Sequence, residues 1–121
     1  MSHRILIADD EPNIVVSLEF MMKREGYDVL VARDGTEALA TIRASRPALV
    51  LLDGMMPGMS GFEVCEAVRA DPDLVGTRSV MLTAKGRDTD VARGMGAGAD
   101  AYVIKPFSTQ ELVHRVRELL A

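Results

Sequence analysis

The chain has little of what marks a secreted or membrane protein. It has one cysteine, Cys65, in 121 residues. An internal disulfide is therefore excluded, which suits a reducing compartment. No apolar run approaches the roughly 18 residues of a membrane span, and no basic-then-apolar leader precedes the first strand-like segment. We therefore expect a cytoplasmic location and no contact with a membrane.

The chain also has little excess of one sign of charge. The 18 acidic residues outnumber the 14 basic ones by only four, which gives a net charge of −4. A chain of this balance is a poor match for a general nucleic-acid binder, so we expect no direct contact with nucleic acid. The composition, 48% hydrophobic and 26% charged, is that of an ordinary globular protein. We expect one domain over residues 1–121.

Five short apolar runs recur along the chain. They are continuous rather than alternating, and most are rich in Val, Ile and Leu, which is typical of strands buried on both faces of a parallel sheet. These predicted strands are residues 5–8, 29–32, 49–52, 80–82 and 102–104.

Helical spacing appears between the strands. Apolar stripes at intervals of three and four residues predict helices around Ile14–Met22, Ala38–Ile42, Val64–Val68 and Leu112–Leu120. Pro12 suits the first turn of the first helix and Gly26 its end. Ser108 and Glu111 predict a capping box for the last helix, with Phe107 and Leu112 as its hydrophobic staple.

A further helix, around Arg87 to Ala97 and so fourth of five in chain order, has the weakest pattern because Gly94 and Gly96 lower its helix propensity. Strict alternation predicts an α/β fold of the (βα)5 type: a doubly wound, flavodoxin-like parallel sheet of five strands with helices on both faces. In the common strand order 2-1-3-4-5, a crevice opens between strands 1 and 3, beyond their carboxyl ends.

Polar side chains follow the predicted strands at this edge. They are Asp9, Asp10 and Glu11 after strand 1, Asp53 after strand 3, Thr83 after strand 4 and Lys105 after strand 5. Two like charges about 4 Å apart repel by about 4 kcal/mol at an effective dielectric constant of 20, so the three aspartates need a counter-charge. Lys105 supplies one positive charge. A metal ion can supply the remaining positive charge. Ligands that are all oxygen favour Mg²⁺, and Mg²⁺ in turn favours phosphoryl chemistry.

These motifs resemble the receiver domain of two-component response regulators, of the kind that chemotaxis regulators contain. The resemblance rests on Asp9-Asp10, Leu51-Leu52-Asp53 with Met56-Pro57 and Gly61, Thr83-Ala84, Gly98-Ala99-Asp100-Ala101-Tyr102 and Lys105-Pro106-Phe107. The motifs run in order through essentially the whole chain. The resemblance implies a signalling switch rather than an enzyme, one that catalyses only its own phosphorylation and dephosphorylation.

The resemblance also implies how the acidic residues divide the work. Asp53 is the expected phosphoacceptor, which takes a phosphoryl group from a histidine kinase or a phosphotransfer protein. Asp10, Asp53 and the backbone carbonyl of Met55 are the expected Mg²⁺ ligands. Asp9 is expected to act through a metal-bound water or through contacts with the residues that bind the metal.

The remaining residues are expected to carry the response. Lys105 would neutralise charge on the transferring oxygens, and Thr83 would hydrogen-bond the phosphoryl group once Asp53 is modified. The inward movement of Thr83 would let Tyr102 turn inward and change the surface formed by the helix around Arg87 to Ala97, strand 5 and the last helix. The Lys105–Pro106 bond resembles one that is usually cis in this family.

Several alternatives remain open on the sequence. One is a Mg²⁺-dependent phosphatase or phosphotransferase with an aspartate nucleophile, although that class places its nucleophile after strand 1. Another is the receiver fragment of a DNA-binding regulator or hybrid kinase. A flavin-binding module is disfavoured, because the acids after strand 1 would repel a phosphate. The expected partners are a kinase or phosphotransfer protein and a downstream target or fused output domain. A phosphorylation-dependent homodimer is one further hypothesis.

Overall fold

A computed structural model describes residues 3–84 and 98–121. Within these ranges the strands are β1 (Arg4–Ala8), β2 (Asp28–Ala32), β3 (Leu49–Asp53), β4 (Arg78–Ala84) and β5 (Ala101–Lys105). The helices are α1 (Pro12–Arg24), α2 (Gly35–Ser45), α3 (Gly61–Ala70) and α4 (Thr109–Leu120), with a 3-10 turn at Pro72–Leu74. The helix predicted around Arg87 to Ala97 lies outside the described residues.

The five strands form one parallel sheet in the order β2-β1-β3-β4-β5, which confirms the predicted fold. The central strands explain the continuous apolar runs: every residue of β3 is buried, as are the last four of β1. Each strand includes its predicted run: β1, β2 and β3 are one residue longer at one end, β5 is one residue longer at both ends, and β4 is two residues longer at both ends. The prediction worked because a strand covered on both faces has no polar side to interrupt it.

Two apolar layers hold the helices against the sheet. One lies under α1 and α4, where Leu18, Met22 and Leu112 are wholly buried against Ile7 and Leu51. The other lies under α2 and α3, and its members include Ile42, Phe62, Val68, Leu52 and Met81. Alternate residues of β1 and β3 feed opposite layers, so the two helical layers fix the sheet between them.

The structure shows the predicted end of α1 at Gly26 and one half of the capping box predicted at Ser108. Gly26 has a φ of +92° just after α1, and its amide donates to the carbonyl of Lys23, as expected of a glycine that ends a helix. Ser108 accepts a hydrogen bond from the amide of Glu111 at 3.0 Å. A complete capping box that the sequence reasoning overlooked joins Ser60 and Glu63 at the start of α3.

Candidate functional site

The sheet register brings the acids together at one edge. Ala8 pairs with Leu52 across β1 and β3, so the next residues, Asp9 just past β1 and Asp53 at the end of β3, lie side by side. On the far side, Lys105 is the last residue of β5 and pairs with Ala84. Strands of a parallel sheet end at the same edge. The positions of these three side chains therefore follow from the strand order.

Asp9 is the most deeply placed of the acids. Its side chain is fully buried, which is rare for a carboxylate unless it is paired. Its Oδ1 accepts the amide of Glu11 at 2.9 Å, and its Oδ2 accepts a hydrogen bond from Lys105 Nζ at 3.1 Å. The structure thus places Asp9 directly against the lysine, a contact that the sequence reasoning had not specified.

Lys105 is shared among several carboxylates. Besides Asp9, its Nζ lies 3.6 Å from Asp53 Oδ1 and 3.6 Å from Glu11 Oε1. Burial lowers the pKa of Lys105, but the surrounding carboxylates, Asp53 first among them, more than offset this and raise it. The ammonium therefore stays charged. The peptide bond that joins it to Pro106 is cis.

Asp53 carries more negative surroundings than one lysine can balance. Burial is the largest cause that raises its pKa from the ordinary 3.8 to about 7, and the charges of Asp9 and Asp10 add to it. Lys105 and the amide of Met55, which donates to Oδ1 at 3.2 Å, act in the opposite direction. A carboxylate in this position calls for a further positive charge.

The donor set fits Mg²⁺. Among the described residues, carboxylate oxygens of Asp9, Asp10 and Asp53 lie within 4.8 Å of one another. All of these donors are hard oxygens, and neither histidine nor cysteine joins the cluster, which favours Mg²⁺ over zinc. Asp10 is exposed whereas Asp9 and Asp53 are buried, so the cluster opens to solvent on one side, where a phosphoryl donor can approach.

The other predicted site residues are placed as follows. The backbone of Thr83 lies in β4 opposite Ile104, near the same edge of the sheet. Tyr102 is half-buried in β5 and packs against the layer under α2 and α3. The side chain of Met55 is 55% exposed beside the acids, and its carbonyl as a ligand stays a prediction. The movements of Thr83 and Tyr102 also stay predictions.

Glu11 is the residue that the sequence reasoning passed over. Its side chain is 61% exposed, and the sequence around it carries no local pattern that assigns it a role. Its proximity to Lys105 depends on the loops after β1 and β5 meeting in space, and no local pattern reports that. The signal available was its place directly after Asp10.

The fold and this acidic edge define a phosphoryl-accepting signalling class. The sequence model of the response regulator receiver domain family matches residues 5–117, and the chain belongs to this family. No helix in the described part of the chain has the length and apolar character needed to cross a membrane.

Curated relatives match the chain over about half of their own length. It is 49% identical over 120 residues to the DNA-binding response regulator MtrA of Mycolicibacterium smegmatis, covering 99% of this chain and 51% of the relative. The MtrA of Mycobacterium tuberculosis H37Rv is 48% identical over the same length, again with 51% of the relative covered. The chain therefore spans about half the length of these relatives.

Solved structures agree over their whole length. A response regulator of Chloroflexus aurantiacus J-10-fl superposes with a TM-score of 0.95 at 38% identity, covering 99% of this chain and 98% of that one. The receiver domain of a sensor histidine kinase of Pseudomonas aeruginosa PAO1 has a TM-score of 0.91 at 26% identity, with 99% and 98% covered. That structure has a magnesium ion coordinated in its active-site cleft.

Proposed function

We propose that this chain is a phosphorylation-controlled switch in which Asp53 accepts a phosphoryl group from a histidine kinase or a phosphotransfer protein. The observation that carries the proposal is the contact of the half-buried Lys105 with the buried Asp9 and Asp53, beside the exposed Asp10, at the crevice of a receiver fold. Of the three acids, Asp53 has one oxygen, Oδ1, that accepts a hydrogen bond from the Met55 amide and also lies 3.6 Å from Lys105 Nζ.

The transfer is a displacement at phosphorus. A carboxylate oxygen of Asp53 forms a bond to phosphorus while the bond from phosphorus to the donor imidazole nitrogen breaks, and the electron pair of that bond returns to the imidazole. Lys105, held by Asp9, lies where charge accumulates on the transferring oxygens. The amide of Met55 fixes the orientation of the Asp53 carboxylate through Oδ1.

Asp10, Asp53 and the Met55 carbonyl are the residues that would hold Mg²⁺, with Asp9 supporting them through a water or from behind. When bound, the ion supplies positive charge to the acidic cluster and to the phosphoryl oxygens. Asp9 then serves mainly to position Lys105, because its Oδ2 is already engaged by the ammonium.

The response to phosphorylation is the second half of the proposal. A phosphoryl group adds roughly −1.5 to −2 charge at one point. Thr83 lies near the end of β4, and Tyr102 lies in the neighbouring edge strand β5. In this proposal they connect the phosphorylated Asp53 to the surface that β5 forms with α4. We propose that this surface passes the signal on, through a partner protein or through a second copy of the chain.

The output is proposed from the relatives. MtrA is named as a DNA-binding response regulator, and this chain matches about half of it. We therefore favour control of a DNA-binding segment or partner, with no direct contact between this domain and DNA. The same comparison favours the receiver of a DNA-binding regulator over the phosphatase considered from the sequence.

The test is the intact mass of the protein after incubation with Mg²⁺ and acetyl phosphate. We expect one added phosphoryl group in the wild-type chain and none in Asp53→Ala or in wild type with the metal chelated. Asp28→Ala, at an exposed acid on the amino-terminal end of β2 and so at the opposite edge of the sheet, is the matched control and should be modified like wild type. An unmodified wild-type chain would falsify the proposal.

A further inference from the structure

The loop between β3 and α3, residues 54–60, sets the geometry of the acidic cluster. It follows Asp53 directly and contains Met55, whose amide donates to Asp53 Oδ1 at 3.2 Å. A displacement of this loop would move both that amide and the neighbouring Met55 carbonyl. Whatever holds the loop therefore controls the orientation of the Asp53 carboxylate.

The loop rests on the first turn of α2. Gly35, the first residue of that helix, is buried, and its amide donates to the carbonyl of Pro57 at 3.4 Å. A Cβ atom on Gly35 would lie 1.8 Å from the carbonyl oxygen of Met59 and 2.6 Å from its carbonyl carbon. Both are backbone atoms, so no side-chain rotation relieves the clash. Any other residue at position 35 must push α2 and the loop apart.

The helix itself has no need of a glycine at this position. Asp34 caps α2 by accepting the amide of Glu37 at 2.8 Å, and Gly35 does not belong to the glycines with positive φ. Glycine is a poorer helix former than alanine. The close approach of the 54–60 loop is thus the physical reason for a glycine here.

A second glycine holds the start of the loop in the same manner. Gly61, the first residue of α3, packs on the backbone of Asp53, where a Cβ would lie 2.1 Å from the Asp53 carbonyl oxygen. Its amide donates to the carbonyl of Gly54 at 3.2 Å. Two glycines that begin helices therefore hold the loop, Gly61 at its start and Gly35 at Pro57 and Met59 within it, and Gly35 is the one that lies on a separate element.

We propose that Gly35 is a positioning residue for the acidic site: it seats the 54–60 loop on α2 and so orients the Asp53 carboxylate and the Met55 backbone. Gly35 touches neither the metal ligands nor the phosphoryl group, and it acts only through the loop. The consequence for phosphorylation rests on the proposed function, whereas the consequence for the Met55 amide does not.

The experiment compares Gly35→Ala with Gly76→Ala. Gly76 is the matched control, because a Cβ there would meet nothing within 4 Å and its φ is not positive. Three quantities are measured: the amide resonance of Met55 without metal, the Kd for Mg²⁺, and the rate of phosphorylation by acetyl phosphate per folded molecule. In Gly35→Ala we expect a displaced Met55 resonance, and a Kd and a rate that are each worse by about tenfold. Gly76→Ala should stay within about twofold of wild type.

A Gly35→Ala protein with the wild-type Met55 resonance and Mg²⁺ affinity overturns the proposal. So does a loss of rate that only tracks the folded fraction, since that is a general effect on stability. If Gly35→Ala does not fold, Gly58→Ala shifts the same loop from within, because Gly58 has a φ of +72°. Similar losses in a folded Gly58→Ala protein support the proposal, and failure of both variants to fold overturns it.

The two proposals fail separately. A wild-type chain that takes no phosphoryl group contradicts the proposed function, while the Met55 resonance and the Mg²⁺ titration still decide the role of Gly35. A wild-type chain that is phosphorylated, together with a Gly35→Ala protein that behaves like it, contradicts only the positioning role.

Discussion

At the scale of the residue, the site is a balance between two buried carboxylates and one half-buried ammonium. Asp9 and Lys105 form the close pair, with 3.1 Å between Oδ2 and Nζ, while Asp53 shares the same ammonium at 3.6 Å. One lysine cannot neutralise two buried carboxylates with the exposed Asp10 beside them. The protein without metal therefore holds a strained charge distribution, which a cation or a proton relieves.

Removal of the lysine should expose this balance. Lys105→Met leaves the fully buried Asp9 without its ammonium partner, so the free energy of unfolding without metal should fall by about 2–3 kcal/mol. Lys23→Met is the control, because Lys23 pairs with Glu19 on the surface of α1 and should change stability by less than about 0.5 kcal/mol. Urea unfolding at pH 7.5 measures both. Equal effects of the two substitutions would contradict the account.

Neutralisation of Asp53 should have the opposite effect. Its pKa is raised in the folded protein, so the folded state holds the proton more tightly than the unfolded chain does. The stability that this proton contributes is lost as the pH rises from about 4 towards 7. Asp53→Asn should therefore raise the free energy of unfolding without metal at pH 7.5 by about 1–3 kcal/mol.

Mg²⁺ should reverse the order of stability of wild type and Asp53→Asn. Mg²⁺ should raise the Tm of wild type and leave that of Asp53→Asn nearly unchanged, because the variant lacks one of the charged ligands. Thermal unfolding in Mg²⁺ and in a chelator measures this. A variant less stable than wild type without metal, or stabilised equally by Mg²⁺, would show that Asp53 is not a charged member of the cluster.

Residue identities predicted most of this site, though not its contacts. Asp9, Asp53 and Lys105 were predicted because each comes at or directly after the end of a buried strand, where a parallel sheet collects them. The bond between Lys105 and Asp9 and the approach of Glu11 were not predictable. They depend on how the chain just after β1 meets the end of β5, and Asp9 and Lys105 are 96 positions apart in the sequence.

At the scale of the element, the ends of helices do more than stop and start the chain. The first residues of α2 and α3 are glycines that the 54–60 loop contacts, and a capping box fixes the start of α3. Apolar spacing predicted the helices, because burial of one face repeats every three to four residues. It did not predict the seat of the loop, since a glycine before a helical stripe is equally consistent with an open turn.

The capping box at α3 can be tested by itself. Ser60→Ala removes the hydroxyl that accepts the amide of Glu63, so the free energy of unfolding should fall by about 1 kcal/mol. Ser17→Ala, at an exposed position inside α1, is the control and should be neutral or slightly stabilising, because alanine is the better helix former. Urea unfolding compares them. A Ser60→Ala protein as stable as Ser17→Ala would refute the box.

At the scale of the whole molecule, the strand order makes the site. The chain passes from β1 outward to β2, returns to β3 and then continues to β4 and β5, so the acids of β1 and β3 become neighbours at the crevice. This order could be predicted because alternating strands and helices with right-handed crossovers leave few arrangements. The net charge of −4 thus acquires a location, since part of it is gathered in a cation site.

The most direct measurement of the central claim is the position of the phosphoryl group. After incubation with Mg²⁺ and acetyl phosphate, reduction with borohydride converts an aspartyl phosphate to homoserine, and peptide mass spectrometry locates the converted residue. The account predicts homoserine at position 53 alone, dependent on Mg²⁺. Conversion at Asp9 or Asp10, or no conversion at any residue, would contradict it.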